Sequence, residues 1–184
     1  MAYQLIVIDG PSCVGKTQLA KELQKQLSHE VWLNFSIDTI VYTLPQAILD
    51  GCNYENKWDT FDRNALLAGT FSCVKSLVDC GNKVIFDNVV STDRRANELL
   101  GYLNDFRVFY VGLTADWECL EQRANEREDR TLVEVKHGYE TSPKHLPYDI
   151  LLDMTQRDSV SVAEEVIKVM TQKYKVSSHP KNET

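Results

Sequence analysis

The chain has 184 residues, of which 43% are hydrophobic and 26% charged, and a net charge of −7. That length and balance predict one globular domain with a core of its own and exclude wholesale disorder. The excess of acid excludes a general nucleic-acid or anionic-membrane binder, while leaving room for a local basic pocket.

The five cysteines form no C-x-x-C pair, so neither a disulfide framework nor a zinc site is expected and the thiols read as reduced. The four histidines show no ligand spacing. No signal-peptide pattern or membrane-length apolar run is present, which predicts a cytoplasmic protein.

In chain order, Leu5 to Ile8 is a continuous apolar run, as in a strand buried on both faces. Leu19, Leu23 and Leu27 then mark one face of a helix from Lys16. Val31 to Phe35 reads as a second strand. Thr39 to Leu49 reads as helical, kinked or ended by Pro45. Asp50 to Asp62 reads as a polar loop, with Tyr54, Trp58 and Phe61 favouring an apolar substrate pocket.

Leu66 to Val78 predicts a long amphipathic helix stopped by Gly81. Lys83 to Phe86 is a third strand, Thr92 to Leu103 a helix, Val108 to Leu113 a fourth strand and Ile150 to Leu152 a fifth. Asp158 to Lys175 is the last helix, followed by a flexible polar tail, 176–184. Strands alternating with helices predict an α/β fold, a five-stranded parallel sheet flanked by helices in three layers, with ligands at the carboxyl ends of the strands.

Directly after the first strand stands Gly10-Pro11-Ser12-Cys13-Val14-Gly15-Lys16-Thr17, which fits G-x-x-x-x-G-K-[ST]. Such a loop turns backbone N–H groups and a helix N-terminus toward phosphate oxygens. Lys16 would reach the β- and γ-phosphates and Thr17 would hold Mg²⁺, which makes ATP and Mg²⁺ the expected cofactors. No D-x-x-G supports a GTPase, and Asn56-Lys57-Trp58-Asp59 follows no strand, so a kinase is favoured over a switch.

Two aspartates stand near strand ends. Asp38 is the better candidate to orient an acceptor hydroxyl and take its proton, with helix capping as a rival role. Asp87 is the better candidate to hold Mg²⁺, directly or through its water shell. Arg123, Arg127 and Arg130, spaced by four and three, fall near one helical face. They read either as a phosphate-clamping lid or as a solvated helix paired with Glu118, Glu121, Glu126 and Glu128. Arg94 and Arg95 could face the same pocket or solvent.

The GPSCVGKT loop, WLNFSIDTIVYTLP, KVIFDNV and VFYVGLTADWECLEQRANEREDR together resemble the chloramphenicol phosphotransferases, small P-loop kinases that move the ATP γ-phosphate to a hydroxyl of the antibiotic. YDILLDMTQRDSVSVAEEVI extends the likeness toward the C-terminus. The resemblance implies Asp38 as catalytic base and Lys16 and Thr17 as phosphate and magnesium residues. It implies Asp87 as the acid after the third strand, Arg127 and Arg130 as lid arginines, and Arg123 near the adenine.

These readings predict a P-loop kinase-like domain over 1–175, with a lid near 123–147 and an acceptor lobe near 38–62. The expected partner is a small-molecule hydroxyl acceptor, with a chloramphenicol-like antibiotic the leading candidate; nucleic acid and membrane are not expected, and a homo-oligomer is left open. A nucleoside or nucleotide kinase is the enzyme alternative, and a non-catalytic nucleotide-binding switch the other.

Overall fold

The computed structural model describes residues 3–55, 57–127 and 131–177. Five parallel strands lie in the order β2-β3-β1-β4-β5, with β1 Leu5–Asp9, β2 Trp32–Ser36, β3 Lys83–Asn88, β4 Val108–Thr114 and β5 Ile150–Asp153. Every expected strand is present. The apolar run of β1 is buried throughout because the strand is central: Leu5 to Asp9 pairs with Val84 to Asn88 on one side and with Val108 to Gly112 on the other.

The period-two alternation of β1 divides the core between two helical layers. Ile6 and Ile8 face α1 (Lys16–Gln26) and α8 (Ser159–Ser177), where Leu19, Leu23, Val162, Val166 and Met170 are fully buried. Leu5 and Val7 face α4 (Arg63–Asp79) and α5 (Asp93–Leu103), through Phe71, Val74, Val78 and Leu99. No helix among the described residues is long and apolar enough to cross a membrane.

Local chemistry explains the boundaries. Thr92 caps α5 by accepting the Arg95 N–H, and the Asp62 carboxylate caps α4 by accepting the N–H groups of Asn64 and Ala65. Gly81, with φ 88°, follows the end of α4 as its sequence position predicts. Pro45 separates α2 (Ile37–Val41) from α3 (Gln46–Glu55) instead of kinking one helix.

Two expectations need correction. The stretch from Asp50 is not all loop, because α3 continues to Glu55, with Leu49 and Cys52 turned into the protein at helical spacing. The helix after β4 is also shorter than the arginine spacing implies. It is α6 (Trp117–Asn125), closed by Glu126, and the chain re-enters a helix only at α7 (Leu132–Thr141). Arg123 and Arg127 therefore do not share one helical face. Arg130, the Tyr54 side chain and the tail from 178 lie outside the described residues. The last helix runs to Ser177, two residues past its expected end.

Phe71 tests the layer over Leu5 and Val7. It is 1% exposed and meets Phe86 and Tyr102 edge-on at centroid distances of 6.3 and 5.9 Å. Phe71→Ala should cost about 3–5 kcal/mol, read as a lowered midpoint in urea unfolding. A loss below about 1 kcal/mol would show that this layer is not packed as described.

Candidate active site

β1 delivers the chain to a sharp turn at the carboxyl edge of the sheet. Cys13 (φ 66°) and Gly15 (φ 107°) adopt left-handed backbone, which curls residues 10–17 into the concave loop that precedes α1. Gly10 has a different role: a Cβ there would lie 2.6 Å from the Leu113 carbonyl oxygen, so only glycine lets the loop leave between β1 and β4.

Lys16 is buried, and its ammonium donates to the Gly10 and Pro11 carbonyls at 3.0 and 2.9 Å. The Asp87 carboxylate stands 4.0 Å from the same nitrogen. Asp87 also accepts a 2.8 Å hydrogen bond from the Thr17 hydroxyl. The lysine, hydroxyl and carboxylate expected around a phosphate–magnesium unit are thus neighbours. Asp87 sits opposite Ile8 on one side and Ser36 on the other.

These groups open into a cleft of about 1090 Å³. Its wall includes the loop from Ser12 to Thr17, Asp87 and Asn88, Asp38, and Arg123 with Arg127. Gly10 and Pro11 lie beneath the loop, buried, and do not line it. A hydroxyl from Thr17 and a carboxylate from Asp87 are hard oxygen donors suited to Mg²⁺ that also binds nucleotide phosphates.

Asp38 is the second residue of α2, and the cap of that helix is Ser36. The Ser36 hydroxyl accepts the Asp38 N–H at 3.2 Å, and the Thr39 hydroxyl accepts the Ser36 N–H at 3.3 Å. Capping is therefore not the task of the Asp38 side chain, which is half-buried on the cleft wall. Trp58 and Phe61, 6.5 Å apart between ring centroids, line the same cleft, as their aromatic character suggested.

Arg123 does not pair with the glutamates of its own segment in the described structure. It donates to the carbonyls of Cys13 and Val14, at 3.5 and 3.3 Å, and of Met154 at 3.0 Å. It braces the outer side of the phosphate loop while remaining on the cleft wall. Arg127 lies just past α6 and is exposed at the cleft. Arg94 and Arg95 are not on the wall; Arg95 bonds Glu98 and Asn64 instead.

Several residues escaped sequence reasoning. Glu134 and His137 of α7 line the cleft, and the Ser12 hydroxyl donates to Glu134 at 3.5 Å. Arg157 lines it too, ion-paired with Glu165 at 2.6 Å. Arg63 stands at the first position of α4. His145, by contrast, bonds Asp93 at 2.7 Å away from the wall.

The most consequential omission is Asp9, the last residue of β1 and fully buried. One oxygen accepts from the Val90 N–H at 2.8 Å and the Ser142 hydroxyl at 3.0 Å; the other accepts from the Tyr148 phenol at 2.5 Å. The one signal in the sequence is an acid closing an apolar strand just before the loop glycine. Burial raises its carboxyl above the ordinary 3.8, outweighing the hydrogen bonds and the field of Lys16.

A buried carboxyl with a raised pKa holds its proton better in the folded chain than in the unfolded one. Its contribution to stability is therefore greatest below pH 3.8 and is lost as pH rises through the raised value. Asp9→Asn should flatten that part of the profile in urea unfolding midpoints. An identical slope in the variant would contradict the assignment.

Solved structures with this architecture include several kinases. A gluconokinase from Sinorhizobium meliloti superposes with a TM-score of 0.71 at 13% identity, covering 97% of this chain and 98% of that one. A sugar kinase from Janibacter sp. gives 0.69 at 15% identity, covering 92% and 95%. Shikimate kinase from Acinetobacter baumannii gives 0.62 at 16%, covering 93% and 94%. At these identities the likeness establishes the P-loop kinase fold. No curated protein matches the chain in sequence. The family model of the chloramphenicol phosphotransferase-like proteins, however, matches residues 3–171, so this chain, whose Lys16 and Thr17 meet Asp87 of β3 at one cleft, belongs to that family.

Proposed function

We propose that this chain transfers the γ-phosphate of ATP to the hydroxyl of a small molecule, with Asp38 as the base. The observation that carries the reading is the shared cleft. Asp38 and the Lys16–Thr17–Asp87 group line the same space, with Trp58 and Phe61 offering an apolar wall for the acceptor. The kinase-like phosphotransferase character of the family supports it.

In this reading Asp38 accepts the proton of the acceptor hydroxyl as its oxygen forms the new bond to the γ-phosphorus. The bond from that phosphorus to the β–γ bridging oxygen breaks, and ADP leaves with the electron pair. Lys16 exchanges its bonds to the Gly10 and Pro11 carbonyls for phosphate oxygens. Arg127 and Arg130 are assigned to the lid over the transferring group. Arg123 supports the loop on the nucleotide side. Thr17 and Asp87 would hold Mg²⁺, which supplies charge neutralisation between the phosphates when bound.

Chloramphenicol is the first acceptor to test, followed by sugars and nucleosides, with ADP release as the readout. On the acceptor so found, Asp38→Ala should lower kcat by roughly 10²–10⁴ while calorimetric ATP binding is retained. Unchanged turnover would remove Asp38 from the base role. Lys16→Ala should weaken both ATP binding and transfer.

A further inference from the structure

Arg63 is a cation on the cleft wall beside Trp58 that makes no ion pair among the described residues. Its guanidinium sits over the Trp58 ring at 5.2 Å, and no carboxylate lies within ion-pair distance of it among the described residues. Its neighbours are otherwise committed. Arg95, whose charge opposes it, is held by Glu98 at 3.1 Å and by the Asn64 side chain at 2.6 Å. Asp62 caps α4 through Asn64 and Ala65. Glu134 is the acid whose field reaches Arg63, and it accepts instead from Ser12. Partial desolvation and the Arg95 charge both lower the pKa of Arg63, although the residue stays exposed on the cleft wall.

A guanidinium held over an aromatic ring keeps its N–H donors for a partner of matching planar shape, and a carboxylate is the best such match. The rest of the wall refines the choice. Asp38 and Glu134 line the same cleft and would repel a dianion, so one carboxylate fits better than a phosphate monoester. Trp58, Phe61 and Val41 favour a carbon skeleton with an apolar face. Because α2 packs on α4, Asp38 and Arg63 flank one space.

Resting on the phosphotransfer reading above, we propose that the acceptor is a hydroxy acid: Arg63 grips its carboxylate on the Trp58 platform while Asp38 faces its hydroxyl. Arg63 is then the residue that sets the acceptor class.

The test pairs hydroxy acids with their methyl esters, mandelate and 3-hydroxycyclohexanecarboxylate among them, with chloramphenicol as a further neutral alcohol. ADP release reads transfer, and tryptophan fluorescence reads binding, with Trp58→Phe identifying the reporting ring. Acids should have a KM at least about tenfold below that of their esters. Arg63→Gln should raise the KM for the acid roughly 10- to 100-fold and that for the ester far less, and Arg63→Lys should recover part of the loss. Circular dichroism of each variant separates these effects from unfolding, and Arg63→Lys serves if the glutamine variant does not fold.

Equal or better use of esters or chloramphenicol, or equal effects of Arg63→Gln on both arms, would overturn the hydroxy-acid inference and leave phosphotransfer intact. Acids that quench Trp58 in an Arg63-dependent way but receive no phosphate would support the carboxylate subsite and remove the phosphotransfer reading. Neither binding nor turnover in either arm would overturn both.

Discussion

The structure depends on the burial of β1 between two parallel neighbours. A central strand must satisfy every backbone hydrogen bond through β3 and β4, so its register is fixed on both edges at once. That fixes where the chain emerges, and the phosphate loop can begin only at Gly10, in a gap too narrow for a side chain. Asp9 extends the constraint sideways. Its carboxylate holds the chain just beyond β3 through Val90 and the segment between α7 and β5 through Ser142 and Tyr148. The base of the loop and the return of the proposed lid are thereby tied to a single buried side chain.

The same geometry reconciles an acidic chain with a phosphate site. The −7 net charge is a property of the whole sequence, whereas the cleft gathers Lys16, Arg63, Arg123, Arg127 and Arg157. These cations have different commitments. Lys16 and Arg123 bond to loop carbonyls, and Arg157 bonds to Glu165. Arg63 has only an aromatic face beneath it among the described residues, and that difference gives it a different task. Local placement of charge, more than its sum, decides what such a surface attracts.

The legible parts of the sequence were those whose physics is local. A buried strand needs a continuous apolar run and a phosphate loop needs glycines at fixed offsets, so both could be read from single segments. Asp38 and Asp87 were found because they stand near strand ends, where the fold brings side chains together. α3 was obscured by polar residues and Gly51, although Leu49 and Cys52 carry a helical spacing. The shared face of Arg123 and Arg127 failed because α6 closes at Glu126 without a glycine or proline to announce it. Asp9 and Arg63 were beyond reach for another reason. The partners of Asp9 lie 81 to 139 residues away, and the role of Arg63 rests on the absence of an acid partner among the described residues, which no local pattern encodes.

Phosphorus-31 NMR of the chain with ATP, Mg²⁺ and the acceptor panel tests the central claim most directly. The account predicts a new phosphate-ester resonance growing in step with ADP, and its loss in Lys16→Ala. Inorganic phosphate as the sole product, or ATP left unconsumed beside every alcohol in the panel, would contradict it.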